Sequence, residues 1–248
     1  MLCNKNTVLV GKKILLVPYR IEHVAKYHAW MENEELRTLT ASEPLTLDQE
    51  YDMQQKWQMD EDKLTFIILA REGDAFIPDT VNPTDSQVSS LPMVGDVNIF
   101  FSGTPLSVSE STNSPPFDDG QEFTAEAEIM IAGNSQLPYS IYDYLKEKSP
   151  EPLYRRRGYA QEALRLMFQY VTGCSTSYFI QNPRVETSQG EETRQVSVKL
   201  PHSIPPTSLI TRISDKNTPS IKLFERLGFR ITKHVEVFEE VELRWNAL

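Results

Sequence analysis

Apolar and polar positions along the chain follow two rhythms, one repeating every second residue and one every three to four, and together they mark out the elements. Residues 12–18 read as a first strand, ended by Pro18. Residues 21–32 read as a helix whose positions Ile21, Val24, Ala25, His28 and Trp30 are only partly periodic. Residues 46–59 predict a second helix, because Thr46 followed by Gln49 forms a capping box and Tyr51, Met53, Gln54 and Trp57 share overlapping faces. Residues 63–70 and 93–101 read as a strand pair, and residues 122–132 alternate acids with apolar side chains, as a strand with one polar face does. The run 161–168 is helical in pattern, 209–213 is a strand, and 217–229 carries a helix start and a glycine stop at Gly228. The last run, 234–245, alternates apolar and charged residues with a slip at Phe238-Glu239-Glu240 that predicts a β-bulge. Strands followed by helices in this order predict a mixed α/β class.

Four stretches interrupt the pattern. Residues 73–92 and 102–120 are rich in Gly, Asp, Pro and Ser, bury too little apolar surface to offset ordering entropy, and are expected to be mobile surface loops. Residues 133–153 hold Tyr139, Ile141, Tyr142, Tyr144 and Leu145, a content that suits a folded flap. Residues 182–206 include the alternating run 195–200, which could pair as a hairpin. At 248 residues and 40% hydrophobic the chain can bury one sizeable core, so a single domain over 1–248 is expected.

Between two of these interruptions lies Arg155-Arg156-Arg157-Gly158-Tyr159-Ala160, at the start of a helix. The first backbone N–H groups of a helix lack intrahelical partners, the dipole adds about half a positive charge, and a glycine lets a phosphate approach closely. The R-x-x-G-x-A spacing is therefore an anion cradle, though a pattern this short also arises in unrelated chains. The elements around it decide the matter. A strand, this turn, a helix, another strand and then Asn217-Thr218-Pro219-Ser220-Ile221-Lys222-Leu223-Phe224-Glu225-Arg226-Leu227-Gly228-Phe229 resemble the GNAT superfamily of acyl-CoA-dependent N-acetyltransferases. The resemblance is strongest to the branch of ribosomal-protein N-terminal acetyltransferases and, within it, to eukaryotic N-acetyltransferase-nine-like proteins. The stretches Gly11-Lys12-Lys13-Ile14-Leu15-Leu16-Val17-Pro18-Tyr19 and Leu39-Thr40-Ala41-Ser42-Glu43-Pro44-Leu45-Thr46-Leu47 look like that subgroup's amino-terminal motifs.

The resemblance implies a central mixed, V-splayed sheet flanked by helices, with the two amino-terminal helices over the acceptor mouth, and acetyl transfer from acetyl-CoA to an amine, most plausibly on a protein. It implies that Arg155, Arg156, Arg157, Gly158, Tyr159 and Ala160 hold the cofactor phosphates, that Met130 and Ile131 offer a backbone N–H to the thioester carbonyl, and that Asn217 and Ser220 lie along the pantetheine. Many members carry a tyrosine as general acid in L-Y-x-K-x-G-F; here Phe224 stands at that cofactor-side position and cannot donate a proton, as in much of the ribosomal-type branch. For the base, Glu126 and Glu128 lie two apart on a strand and so share a face, where mutual repulsion and burial would raise one pKa. Glu128 matches the acid that precedes a β-bulge in the resembling branch and is favoured; Asp96 and Asn98, on one face of the neighbouring strand, could share the cleft. The rival reading is a GNAT-fold protein of weakened activity that binds a partner through residues 133–153 and 182–206.

Charge and cysteine content narrow the remainder. A formal net charge of −10 argues against nucleic-acid binding and suits a cationic acceptor, though solubility also accounts for it. No apolar run approaches the ~20 residues of a bilayer span, and residues 1–6 lack the apolar stretch of a secretory signal, so a cytoplasmic, or also nuclear, location is expected. Cys3 and Cys174 and the scattered His23, His28, His202 and His234 have no metal-ligand spacing.

Overall fold

The computed structural model describes residues 4–71, 81–103, 122–132, 154–179 and 203–246. They build one sheet from strands β1 (Leu9–Val10), β2 (Ile14–Pro18), β3 (Lys63–Ala70), β4 (Met93–Ser102), β5 (Thr124–Ile131), β6 (Leu209–Ser214), β7 (Phe229–Val235) and β8 (Glu240–Trp245), in the order β1-β2-β3-β4-β5-β6-β8-β7. Every described neighbour pair is antiparallel except β5–β6. That parallel pair is joined only at Ala125↔Leu209 and Glu126↔Ile210, whereas β5 stays paired with β4 as far as Gly95↔Ile131. Among the described residues, 127–131 thus have a strand on one side only, and the sheet parts between β5 and β6.

The helices are α1 (Val24–Met31), α2 (Glu34–Leu39), α3 (Leu47–Met59), α4 (Ser86–Ser89), α5 (Tyr159–Thr172) and α6 (Thr218–Arg226). Alternate residues of β2, β3, β4 and β5 feed two cores. On one face Ile14, Leu16, Phe66, Ile68, Val97, Ile99, Ala125 and Ala127 pack with Leu164, Met167 and Phe168 of α5 and Phe224 of α6. On the other, Leu15, Val17, Tyr19, Ile67, Leu69 and Met130 pack with Val24, Tyr27, Trp30 and Met31 of α1. Covered on both faces, β2 and β3 are buried at every position, which is why they read as nearly unbroken apolar runs. α3 begins at the predicted capping box: Thr46 Oγ1 accepts from Gln49 N–H at 3.3 Å and Gln49 Oε1 accepts from Thr46 N–H at 2.8 Å.

Several boundaries differ from expectation. The first strand begins at Ile14, after a turn from β1, and the expected helix over 21–32 is a 3-10 turn, Ile21–His23, running into α1. α2 shows no strong periodicity in sequence; it is held by Asn33, whose Oδ1 accepts from Leu36 N–H at 3.2 Å. Residues 81–92 are not a loose surface loop, because Val81 and Val88 are buried in the second core and α4 lies among them. At the carboxyl end the slip is no bulge but the β7–β8 turn, a 3-10 turn at Glu236–Phe238 closed by Glu239 with φ 51°. The register shift falls instead inside β7, between Ile231 and Lys233. Nor does a bulge follow Glu128, since the β4–β5 register is unbroken. The flap 133–153 and the hairpin 195–200 lie outside the described residues.

Candidate active site

The α1-side face of the sheet is apolar near its β2 edge and turns polar toward the β5–β6 gap. Register sets the rows: Thr65, Asn98 and Glu128 lie side by side, as do Lys63, Phe100 and Glu126, and Ile67, Asp96 and Met130. Glu126 and Glu128 therefore share a face, as their spacing requires. Thr65 donates to Asn98 Oδ1 at 2.6 Å, and Asn98 Nδ2 donates to Asp96 Oδ2 at 2.7 Å. Among the described residues the second oxygen of Asp96 and the Tyr19 hydroxyl, both buried, find no hydrogen-bond partner.

Burial dominates the electrostatics. It pushes the Asp96 carboxyl up to about 7, the Asn98 bond opposing, the Glu128 charge adding and Lys63 opposing. It pulls Lys63 down to about 7 against the opposing pull of Glu128, Asp96 and Asp60. The Lys63 ammonium lies 2.8 Å from the centre of the Trp57 ring and 4.1 Å from that of Phe100, so its charge is met by aromatic faces. Glu128 has its side chain open to solvent, yet the protein crowding around it and then the charge of Glu126 raise its pKa, with Lys63 opposing. Among the described residues it makes no hydrogen bond or ion pair. Glu126 is raised chiefly by burial but is tied to Arg212, which also holds Glu242 at 3.0 Å. One acid of the pair is thus neutralised and the other is left available.

At the end of β5 the chain crowds β4. A β-carbon built on Gly95 would lie 2.1 Å from the Met130 carbonyl oxygen and 3.1 Å from Ile131 Cα. Because a trans peptide sets N–H opposite C=O, a Met130 carbonyl turned onto Gly95 sends the Ile131 N–H the other way.

On the opposite face, Gly158 is the N-cap of α5 with φ 84°, a conformation that favours glycine, and it has no side chain to satisfy the first N–H groups of the helix. Arg156 also has a positive φ, 59°. Arg155 approaches Glu35 of α2 at 3.9 Å, Arg157 lies 5.9 Å from the Tyr154 ring, Tyr159 is buried and Ala160 half-buried. Open N–H groups within an arginine-rich turn fit a diphosphate. Across the gap, Asn217 caps α6 by accepting from Ser220 N–H at 3.3 Å, which gives the N-x-x-S spacing a local cause and leaves the Asn217 amide hydrogens free to donate. Phe224 is 2% exposed and stacks edge-on against Phe229 at 5.1 Å, within the core. Lys63 and Tyr19 belong to no sequence motif of the site, because their surroundings, Phe100 for one and Trp57 for the other, come from other elements. Among the described residues no group of three or more His, Cys, Asp or Glu is placed to hold a metal ion.

Comparison with known proteins bears on this geometry. No family model matches the chain. The chain is 35% identical over 244 residues to an N-acetyltransferase 9-like protein of Schizosaccharomyces pombe, covering 98% of this chain and 97% of the relative. It is 37% identical over 245 residues to the alpha/beta-tubulin-N-acetyltransferase 9 of Mus musculus, covering 98% and 73% of the two. Among solved structures it is similar in fold to the Vibrio cholerae spermidine N-acetyltransferase in complex with CoA and spermine, with a TM-score of 0.51 at 13% identity over 94% of each chain.

Proposed function

Since the chain belongs to the N-acetyltransferase 9 family of GNAT acetyltransferases and is an acetyl-CoA-dependent N-acetyltransferase, we propose that its acceptor is a protein amine, at an N-terminus or a lysine, and that Glu128 removes the proton. The observation that carries this reading is the position of Glu128. It is the unpaired acid on the acceptor-side face of β5, two residues from the Met130–Ile131 peptide and beside the gap in the sheet.

On this reading residues 155–160 hold the diphosphate, and residues 127–131 offer the unpaired strand edge to the pantetheine, flanked by Asn217 and Ser220. The Ile131 N–H meets the charge that grows on the thioester oxygen as the amine attacks. The new C–N bond forms as C–S breaks, and Glu128 takes the amine's proton, for which a raised pKa is suited. Phe224 has no proton to give, so the departing thiolate is protonated by solvent or near Ser220. The acids of this face, Asp96, Glu126, Glu128 and Glu242, favour a cationic acceptor. Tubulin, for which the mouse relative is named, is the first acceptor to try, at its amino termini and its lysines.

The test pairs labelled acetyl-CoA with a peptide library that includes tubulin amino termini. Glu128→Gln should keep acetyl-CoA affinity while lowering turnover by roughly 10²-fold or more. In the parent, kcat/KM should rise with pH as the Glu128 carboxyl ionises through its raised pKa, and the variant should lose that limb. A variant within a few-fold of the parent across about pH 6 to 9 would move the role to Asp96 or Glu126.

A further inference from the structure

The turn between β1 and β2, Gly11-Lys12-Lys13, packs against the start of α5. Glu162, in the first turn of that helix, accepts the backbone N–H of Lys12, and both its oxygens lie 3.2 Å from Lys13 N. The fit is close at position 11, where a β-carbon would come within 2.5 Å of Glu162 Oε1 and the carboxylate would have to shift. The turn is fixed from three other directions. Gly11 N–H donates to Ile14 O at 2.9 Å, Arg71 N–H donates to Lys13 O at 2.8 Å, and Arg71 Nη1 donates to Gly11 O at 2.5 Å.

This bracing delivers one cation to a particular place. Lys13 Nζ donates to the Arg157 carbonyl at 3.0 Å, and a β-carbon built on Gly158 would sit 3.3 Å from Nζ. The ammonium is therefore beside the N-cap of α5, where the unpartnered N–H groups begin. An ammonium has three hydrogens and this bond uses one. A compact point charge with spare donors, held next to a glycine-capped helix start, suits a phosphate oxygen.

We propose that Lys13 is a phosphate-binding residue of the cofactor site, brought from outside the R-x-x-G-x-A turn and donating to the diphosphate of acetyl-CoA. This rests on the reading of residues 155–160 as the diphosphate cradle. The bonds from the Lys12 and Lys13 N–H groups to Glu162 set its reach, so the amino-terminal hairpin and α5 hold the cofactor jointly.

Calorimetry with acetyl-CoA and with dephospho-acetyl-CoA, which lacks only the ribose 3′-phosphate, separates the possible phosphates. Lys13→Gln should weaken both ligands by the same factor, roughly 10-fold or more, and Lys13→Arg should recover most of the loss. In turnover the effect should fall on KM for acetyl-CoA far more than on kcat. With S-acetylpantetheine, which has no phosphate, Lys13→Gln and the parent should match. A loss confined to acetyl-CoA would overturn the assignment in favour of the 3′-phosphate. An equal loss with S-acetylpantetheine would reduce Lys13 to a structural brace, and unchanged affinity for both nucleotides would sink the proposal. Failure of the parent itself to bind acetyl-CoA would instead overturn the cradle reading beneath it.

Discussion

Asp96 is 1% exposed, with one oxygen bonded to Asn98 and the other unpartnered among the described residues. Its pH dependence follows from the sign of the shift. The carboxyl is raised from 3.8 to about 7. Below the unfolded value both states hold the proton. As pH rises toward 7 the unfolded chain releases it while the native chain does not, so the native state loses stability until about pH 7 and no further above it. Asp96→Asn cannot ionise and still offers an oxygen to Asn98. It should therefore gain stability relative to the parent between about pH 5 and about pH 8, read from urea midpoints. An equal gap at both pH values would mean that Asp96 ionises normally. The Glu126–Glu128 pair was legible because period two in a strand fixes a shared face. Lys63 was not, since its burial between Trp57 and Phe100 depends on β4, a strand well separated from it in sequence.

Among the elements, β4 and β5 carry the most consequence. Each could be read as a strand from its own run of residues, but nothing in the sequence marked Gly95 as the point where β5 presses onto β4. Gly95→Ala must displace the Met130–Ile131 peptide, because a contact of 2.1 Å to a backbone oxygen cannot be relieved by a rotamer change. The expected cost is roughly 1–3 kcal/mol of stability, seen in denaturant melts. Turnover should fall more than acetyl-CoA affinity, because the displaced peptide is the one assigned to the thioester carbonyl. A variant of parental kcat would show that the Ile131 N–H has no such part. Elsewhere, capping chemistry at Thr46 located α3 to the residue. The short helices α2 and α4 escaped, since a single turn or two leaves too little periodicity to separate from a polar loop. At 238–240 a break in alternation was equally consistent with a bulge or a turn, and the left-handed Glu239 decides for the turn.

At the scale of the molecule, the order of strands and helices pointed to the fold, and relatives matching nearly the whole chain place it in its family. What sequence could not supply was the division of labour between faces. The arginine turn leads into α5 and Glu128 lies on the α1 face, and among the described residues the sheet between them parts where β5 leaves β6. On the proposed reading this seam is where a cofactor held at the α5 turn meets an acceptor lying on the α1 face. Both substrates can be resident at once, and no side chain need carry the acetyl group across. Initial-rate plots at several fixed acceptor concentrations should therefore intersect; parallel lines would mean an acylated enzyme. A compound joining the CoA sulfur to an acceptor amine through a short acetyl bridge would thread the seam. Because its second half binds intramolecularly, it should outbind either half by roughly 10²-fold or more.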